Sequence, residues 1–354
     1  MENYTTVNKI ADALYGDVLL CKDTSGNKVA VKRMDWECAN RRTTQNGSQR
    51  ILEDAALEWK VNKVLSAHEG HQHVLQMQDS FEEDDKLHLV FDYCPKGDLF
   101  GIVQQEDILS ERRALNYTYQ ILLGIEHMHR NGFAHRDLSL ENVLVNDNDE
   151  CQICDFGLVA SIPSVRSECV GKPFYMAPEV LAGMPYDPTM ADSWSLGVIL
   201  FMLLTGHPLF AQASQKDQGF QVASKYGVER LVLMWRLDST MSPDTLDLLI
   251  QLLKINPKER SSVAAALRHP AFNGNTQMEM NYTQNSSFMF ASFHAEPHTM
   301  IIRAPELRRT SSASSTSKIM SKFVQFFKRK PEVPTSVCLS VLANSALVPT
   351  AVRT

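Results

Sequence analysis

Two blocks of this 354-residue sequence carry side chains suited to phosphoryl transfer. One is His135–Asn142, which reads His-Arg-Asp-Leu-Ser-Leu-Glu-Asn, and the other, Asp155–Gly157, begins thirteen residues after it with Asp-Phe-Gly. Moving the terminal phosphoryl group of ATP needs a carboxylate to orient the attacking hydroxyl and oxygen ligands to hold magnesium. Asp137 can supply the first, and Asn142 and Asp155 the second. Together and in this order, the blocks predict an ATP- and magnesium-dependent phosphotransferase.

The pattern along the chain predicts strands first and helices later. Short apolar stretches broken by turn residues over Thr5–Met34, and strand-like alternation over Val74–Tyr93, predict antiparallel ribbons. Between them lie a polar stretch, Glu37–Arg50, and helical spacing within Ile51–Ala67. From Leu99 onward helical patterns dominate. We therefore expect an α+β fold.

The order and spacing of the two catalytic blocks resemble the catalytic loop and metal-binding triplet of eukaryotic protein kinases. The resemblance implies a catalytic domain over residues 4–273, with a small β-rich N-lobe of about 4–93 and a larger, mainly helical C-lobe of about 95–273. It also implies that ATP binds in the cleft between the lobes and that proteins are the substrates.

Composition is compatible with this interpretation. Hydrophobic residues make up 44% of the chain, charged residues 21%, and the formal net charge is −6, which argues against a nucleic-acid partner. The seven cysteines are odd in number and lack a framework spacing, so we expect a reducing, cytoplasmic setting. The longest apolar run, Trp194–Thr205, is too short to cross a bilayer and predicts a buried helix.

The triplet Ala30-Val31-Lys32 resembles the strand motif whose lysine reaches the nucleotide phosphates. Lys32 needs an opposite charge to hold it. Glu58 is the better candidate because Val61 and Leu65 follow at helical spacing, and Glu53 is the alternative. The remaining interpretation is that these are surface charges with no common role.

Other nucleotide contacts are implied by the resemblance alone. The main-chain carbonyl of Asp92 and amide of Cys94 would meet the adenine edge, with Phe91 closing the space behind it. The positions that match nucleotide-contacting residues of the family are, besides these and the charged pair, Ala11, Ala13, Gly16, Val18, Ala30 and Leu144.

The loop that covers the phosphates departs from the family pattern. Gly16 and Val18 match the end of Gly-x-Gly-x-x-Gly-x-Val, but Ala11 and Ala13 stand where the first two glycines are usual. Glycine permits unusual backbone angles and close approach to a ligand. We therefore expect weaker ATP binding than in a kinase with three glycines.

Two residues beside the catalytic aspartate also differ. Serine/threonine-specific kinases usually have lysine two residues after that aspartate and threonine after the glycine of the substrate-binding loop, whereas this chain has Ser139 and Lys172. Our hypothesis is that Lys172 supplies the cation that Ser139 cannot, near Asp137 and the γ-phosphate. The alternative is that Lys172 faces solvent and the enzyme is slow.

The activation segment offers two regulatory hypotheses. Many relatives carry a phosphorylated residue three positions before the glycine of the substrate-binding loop, and that position is Glu168 here. A fixed carboxylate there could pair with Arg136 without phosphorylation. The competing hypothesis makes the neighbouring Ser167 the switch.

Two acidic residues match positions that bind substrate arginines in basophilic kinases. These are Asp98 and Glu141, and carboxylates bind guanidinium through charge-assisted hydrogen bonds. The chain itself contains Arg308-Arg309-Thr310-Ser311, so we expect autophosphorylation at Ser311 or Ser312, or docking of this segment as an inhibitory pseudo-ligand.

Two other function classes stay open. One is a pseudokinase that binds nucleotide weakly without efficient catalysis, since the phosphate loop is altered. The other is a small-molecule phosphotransferase, which the complete activation segment through Glu179 disfavours. Tyr175 and Met176 favour the Ser/Thr branch of the family, although Ser139 and Lys172 depart from it.

Residues 274–354 differ from the rest of the chain in charge. They hold nine basic and four acidic residues, so this Ser-rich tail is +5 and the remainder −11. We expect a disordered tail, with an amphipathic segment at 318–330 that suits an anionic membrane, a calmodulin-like groove or the kinase body. If deleting 274–354 changes neither activity nor phosphate incorporation, the regulatory hypothesis for the tail fails.

Overall fold

A five-stranded antiparallel sheet forms the N-terminal part of the protein. The computed structural model describes residues 1–43, 52–106 and 108–273. The strands follow the order β1-β2-β3-β5-β4 across the sheet. Their bounds are β1 Thr5–Ala13, β2 Gly16–Lys22, β3 Lys28–Asp35, β4 Met77–Glu83 and β5 Lys86–Asp92. The tail hypotheses at Ser311, Ser312 and 318–330 lie outside the described residues.

Strand alternation determines which side chains of β3 reach the interlobe cleft. Val29 and Val31 are buried in one cluster, with Leu19 and Val90. Because successive side chains of a strand point to opposite faces, Ala30 and Lys32 face the other side of the sheet. Strand β3 thus directs the side chain of Lys32 toward the cleft between the lobes.

Two helices accompany the sheet: α1, Trp36–Arg41, and α2, Ala55–Leu65. The carboxylate of Asp54 caps α2 by accepting a hydrogen bond from Leu57 N at 3.0 Å. The buried face of α2 includes Glu58 and Val61, which lie three residues apart on one side of the helix. Helix α1 overlaps the polar stretch, for which the sequence predicted no helix. Asp35 caps it, but six residues are too few to show a period.

The C-terminal part is mainly helical, which confirms the α+β, two-lobed prediction. The helices are α3 Leu99–Glu106, α4 Glu111–Arg130, α5 Pro178–Leu181, α6 Pro188–Thr205, α7 Gln218–Tyr226, α8 Val228–Met234, α9 Pro243–Leu252 and α10 Val263–Ala266. Short strands pair as β6 with β9 and β7 with β8, at β6 Phe133–Ala134, β7 Val143–Val145, β8 Cys151–Ile153 and β9 Ala160–Ser161. Single 3₁₀ turns lie at Leu140–Asn142, Asp238–Thr240 and Pro270–Phe272.

Helix α6 is the core of this part. Among the described residues it is the one helix long and apolar enough to span a membrane, yet 89% of that stretch is buried inside the protein. The buried helix predicted from the apolar run Trp194–Thr205 is therefore present, and it begins six residues earlier.

A buried ion pair fixes the end of the activation segment. The guanidinium of Arg260 makes a two-point contact with the carboxylate of Glu179, at 2.6 and 3.0 Å. This pair anchors the end of the activation segment.

The turn between β1 and β2 requires glycine at position 16 of the altered phosphate loop but not at positions 11 and 13. Ala11 and Ala13 pair with Val18 and Gly16 in the sheet, and neither alanine has a positive φ. Gly16 is different, because a Cβ there would lie 2.1 Å from the carbonyl oxygen of Arg33. The two alanines therefore cause no backbone strain, and only their bulk can affect a nucleotide.

We expect the double variant Ala11→Gly/Ala13→Gly to bind ATP more tightly than the wild type, because two methyl groups leave the phosphate loop. Its free energy of unfolding should fall by about 0.5–1 kcal/mol per site, the usual cost of glycine in a strand. Gly16→Ala is the contrasting variant and should lose more stability. Denaturant unfolding and equilibrium binding of Mg·ATP measure both effects, and an unchanged ATP affinity in the double variant would refute the first.

Candidate active site

The side chain of Lys32 joins strand β3 to helix α2. Its Nζ lies 2.6 Å from Oε1 of Glu58 and 3.7 Å from Oδ1 of Asp155. Burial alone would lower the pKa of Lys32, but the Glu58 and Asp155 carboxylates outweigh it and raise the pKa, so the amine stays charged. Of the two glutamates that the sequence left open, Glu58 is the one in contact with Lys32.

The catalytic loop is held by Asp192 of helix α6. One carboxylate oxygen accepts from the backbone N–H of Arg136 at 2.8 Å, and the other accepts from that of His135 at 2.8 Å. His129 of helix α4 also contacts Asp192, at 2.8 Å. Arg136 has a φ of +67°, a conformation that a non-glycine residue keeps only when its surroundings impose it. The Asp192 contacts impose it here.

Asp137 lies in the cleft with both carboxylate oxygens engaged. Oδ1 accepts from the backbone N–H of Lys172 at 3.0 Å, and Oδ2 accepts from the side-chain amide of Asn142 at 2.9 Å. Burial raises the pKa of Asp137, while the nearby ammonium of Lys172 acts against this rise. These two hydrogen bonds orient the Asp137 carboxylate, which could accept a hydroxyl proton.

Lys172 points into the site rather than to solvent. Its Nζ donates to Ser139 Oγ at 2.7 Å and lies 3.4 Å from Asp137 Oδ2. Burial acts to lower the pKa of Lys172, but the charges of Asp137 and Glu141 outweigh it and raise the pKa. Gly171 allows this approach, because at its φ of +97° a Cβ would meet the Arg136 carbonyl oxygen at 2.7 Å. The ammonium of Lys172 thus lies beside the two residues named in the exchange hypothesis.

The oxygen donors near Asp155 suit a magnesium ion. Within the described residues, Oδ1 of Asp155 is buried and has no hydrogen-bond partner. Burial acts to raise the pKa of Asp155, but Lys32 and Lys172 outweigh it and lower the pKa, so the carboxylate stays ionised. Asn142 uses its amide nitrogen on Asp137, which leaves its carbonyl oxygen as the second hard donor. Mg²⁺ prefers carboxylate and carbonyl oxygens of this kind.

Apolar side chains of the sheet and of strand β7 pack together near Cys94. Ala30 and Leu144 pack against one buried cluster that contains Phe91 and Cys94, and Val18 pairs with Lys32 in the sheet. Asp92 ends β5, and Cys94 Sγ lies 3.0 Å from Gln152 Oε1 of β8. Apolar side chains of this kind suit contact with an adenine ring, and the main-chain groups of Asp92 and Cys94 suit its polar edge.

Arg136 also reaches the activation segment. Its guanidinium donates to Glu168 Oε2 at 3.1 Å and to the hydroxyl of Tyr186 at 3.2 Å. The Tyr186 hydroxyl donates in turn to the carbonyl of Glu168 at 3.0 Å. Ser167 is exposed, and its backbone N–H points to the same Glu168 carboxylate at 3.3 Å. A carboxylate therefore already occupies the basic site of the segment.

The two acids expected to bind substrate arginines have local partners. Asp98 Oδ1 accepts from Gly101 N at 2.7 Å at the start of helix α3. Glu141 Oε2 accepts from the hydroxyl of Tyr175 at 3.3 Å. These contacts fix the orientation of the two carboxylates.

Sequence reasoning did not identify two tyrosines near the site. Tyr186 completes the contact of Arg136 with Glu168, and Tyr15 connects the phosphate loop to the residues before α2. The only available signal for Tyr15 was its place at the tip of the altered glycine loop. Tyr186 had none, because it is distant in sequence from the arginine that it contacts.

Residues 4–272 match the sequence model of the protein kinase domain. The chain is 32% identical over 252 residues to the probable serine/threonine-protein kinase KCC4 of Saccharomyces cerevisiae, covering 70% of this chain and 23% of that protein. It is 33% identical over 251 residues to the maternal embryonic leucine zipper kinase of Xenopus tropicalis, covering 70% and 35%. The matched region thus spans about a third or less of these relatives' lengths. The chain belongs to the eukaryotic protein kinase family, and its catalytic domain is similar to those of serine/threonine kinases.

Proposed function

We propose that this protein transfers the γ-phosphoryl group of ATP to serine or threonine hydroxyls of protein substrates. The observation that carries the proposal is the convergence of Lys32, Asp137, Asn142 and Asp155 on one cleft, with Lys32 held by Glu58. A chain that had kept only the fold would have no reason to keep this arrangement of charges. Phe156, the middle residue of the Asp155–Gly157 triplet, is fully buried with its ring edge-on to that of His135, so the triplet packs against the catalytic loop.

Each residue has a role that its contacts support. Lys32 would bind the phosphates, and Asn142 and Asp155 would hold magnesium, which neutralises phosphate charge when bound. Asp137 would orient the acceptor hydroxyl and take its proton. Its two oxygens already have donors that fix the carboxylate plane, so little reorganisation is needed when a substrate arrives.

Lys172 would stabilise negative charge as it develops on the transferred group. In place of a lysine on the catalytic loop, the ammonium comes from the substrate-binding loop and is held by Ser139 at 2.7 Å. The Ser139 hydroxyl is fully buried and therefore needs a hydrogen-bond partner. This contact supports the exchange over the alternative in which Lys172 faces solvent.

Substrate choice would favour arginine before the acceptor residue. Asp98 lies just before α3 and Glu141 lies in the catalytic loop, at positions where the family binds such arginines, and hydrogen bonds from Gly101 and Tyr175 orient the two carboxylates. Proteins in the cytoplasm are the proposed substrates.

The function is tested by incubating the full chain with labelled ATP, magnesium and a peptide library that varies arginine before a central serine, threonine or tyrosine. We expect phosphate on serine and threonine peptides, and a loss of about 10²-fold or more in the Asp137→Asn control. Weak nucleotide binding without transfer would instead support the pseudokinase. Transfer to small hydroxyl compounds but not to peptides would support the small-molecule phosphotransferase.

The exchange of Ser139 and Lys172 is tested by moving the lysine. We expect Lys172→Thr to slow single-turnover phosphorylation on the order of a hundredfold, the usual effect of losing one transition-state donor. The double variant Ser139→Lys/Lys172→Thr restores the arrangement usual in the family and should recover most of that rate. Little loss in Lys172→Thr, or a double variant as slow as the single one, contradicts the exchange.

Glu168 would keep the activation segment ordered without phosphorylation. The Arg136 side chain is only 8% exposed, whereas that of Glu168 is 47% exposed, so the arginine is the partner that needs the contact. The Arg136 and Arg166 guanidinium groups help to hold the pKa of Glu168 below its usual range against the opposing effect of burial. The carboxylate is therefore charged at neutral pH.

For protein made in a host without other kinases, we expect Glu168→Ala to lower kcat/KM roughly fivefold, which corresponds to about 1 kcal/mol for a half-exposed ion pair. Ser167→Ala should leave activity unchanged, and mass spectrometry should find Ser167 unmodified in the active wild type. The opposite pattern, activity lost in Ser167→Ala and kept in Glu168→Ala, makes Ser167 the switch.

A further inference from the structure

Tyr15, at the tip of the phosphate loop, is turned into the protein. It is 3% exposed and belongs to the buried cluster that includes Met34, Ala55 and Leu87. Leu14, the other residue of the two-residue turn, is 49% exposed. Ala13 and Gly16 pair across this turn, so the loop cannot shift outward without taking the ring of Tyr15 out of the core.

The hydroxyl of Tyr15 contacts the residues that begin helix α2. It donates to the main-chain carbonyl of Glu53 at 2.7 Å. The next residue, Asp54, caps α2 through its carboxylate. Helix α2 carries Glu58, which holds Lys32 at 2.6 Å. The Tyr15 hydrogen bond therefore connects the phosphate loop to the start of the helix that holds Lys32 through Glu58.

Glu53 and Asp54 also contact the metal-binding triplet, Asp155–Gly157. The backbone N–H of Asp54 donates to the Gly157 carbonyl at 2.9 Å. The Glu53 side chain packs so closely on Gly157 that a Cβ there would lie 3.1 Å from its Cβ and Cγ. Glu53 and Asp54 are thus the point where the phosphate loop, α2 and the Asp155–Gly157 triplet meet.

We infer that Tyr15 is a positioning residue that links closure of the phosphate loop to the Lys32–Glu58 pair, so that nucleotide binding and the inward position of α2 stabilise each other. The inference rests on the proposed nucleotide site and assigns a role to the hydroxyl, not only to the ring. Burial, followed by the charge of Glu53, raises the pKa of Tyr15 to about 12, so the phenol remains a hydrogen-bond donor at any physiological pH.

The experiment compares Tyr15→Phe with Tyr117→Phe in the full chain. Both variants keep a buried ring and lose its hydroxyl. The Tyr117 hydroxyl donates to Asp149 at 2.8 Å and accepts from the Arg113 guanidinium at 2.8 and 3.1 Å, on helix α4 and away from the phosphate loop. Removing one such hydrogen bond typically changes an equilibrium constant roughly two- to tenfold. We expect Tyr15→Phe to weaken binding of Mg·adenylyl imidodiphosphate by that factor, and Tyr117→Phe to leave it unchanged.

The kinetic signature should be selective. Because saturating nucleotide restores the closed arrangement, KM for ATP should rise in Tyr15→Phe while kcat and KM for peptide stay close to wild type. If Tyr15 only filled the core, Tyr15→Phe would lower the unfolding temperature as Tyr117→Phe does and would leave KM for ATP unchanged.

A double-mutant cycle with Glu58→Gln tests the link itself. If Tyr15 acts through α2, the effect of Tyr15→Phe on binding of the ATP analogue should shrink in the Glu58→Gln background. Additive effects, or unchanged binding in Tyr15→Phe, overturn the inference. A wild type that binds the analogue but transfers no phosphate overturns the proposed catalytic function instead and leaves the Tyr15 result interpretable.

Discussion

One buried carboxylate, that of Asp192, holds the catalytic centre in its working geometry. It is 1% exposed and accepts from the backbone N–H groups of His135 and Arg136, with His129 as a third contact. Burial acts to raise the pKa of Asp192, but the His129 hydrogen bond and further donors lower it, so the charge is retained. A buried charge is tolerated only with such partners. The unusual backbone of Arg136, and hence the direction of Asp137, depends on them.

The charges around the cleft are balanced in a way that depends on the activation segment. Lys32 faces Glu58 and Asp155, and Lys172 faces Asp137. A lysine at position 139 would be part of the catalytic loop and would stay beside Asp137 in every state of the segment. Lys172 follows Gly171 in the substrate-binding loop, and its ammonium reaches Asp137 and Ser139 because that loop packs against the catalytic loop. The compensation of the Asp137 charge by Lys172 therefore depends on how the activation segment packs.

Much of the fold could be predicted because the responsible patterns are local. The alternation in β3 and the apolar run of α6 are each explained by burial of one face or of all faces. Helix α1 was missed because six residues show no period, and it exists through the Asp35 cap. The prediction about Ala11 and Ala13 depends on their methyl groups alone, since the backbone angles of the loop are set by pairing with β2 and require no glycine at either position.

The sequence by itself determined which residues could do the chemistry. Asp137, Asn142, Asp155 and Lys32 are recognisable from type and spacing because phosphoryl transfer limits the groups that can serve. It favoured Glu58 over Glu53 without excluding the latter, it could not decide where Lys172 points, and for Tyr15 it offered only a place at the tip of the altered glycine loop. Those answers depend on contacts between segments far apart in the chain, such as Lys172 with Ser139 and Tyr15 with Glu53. Only packing brings such pairs together, because no local period or propensity records a contact made across the fold.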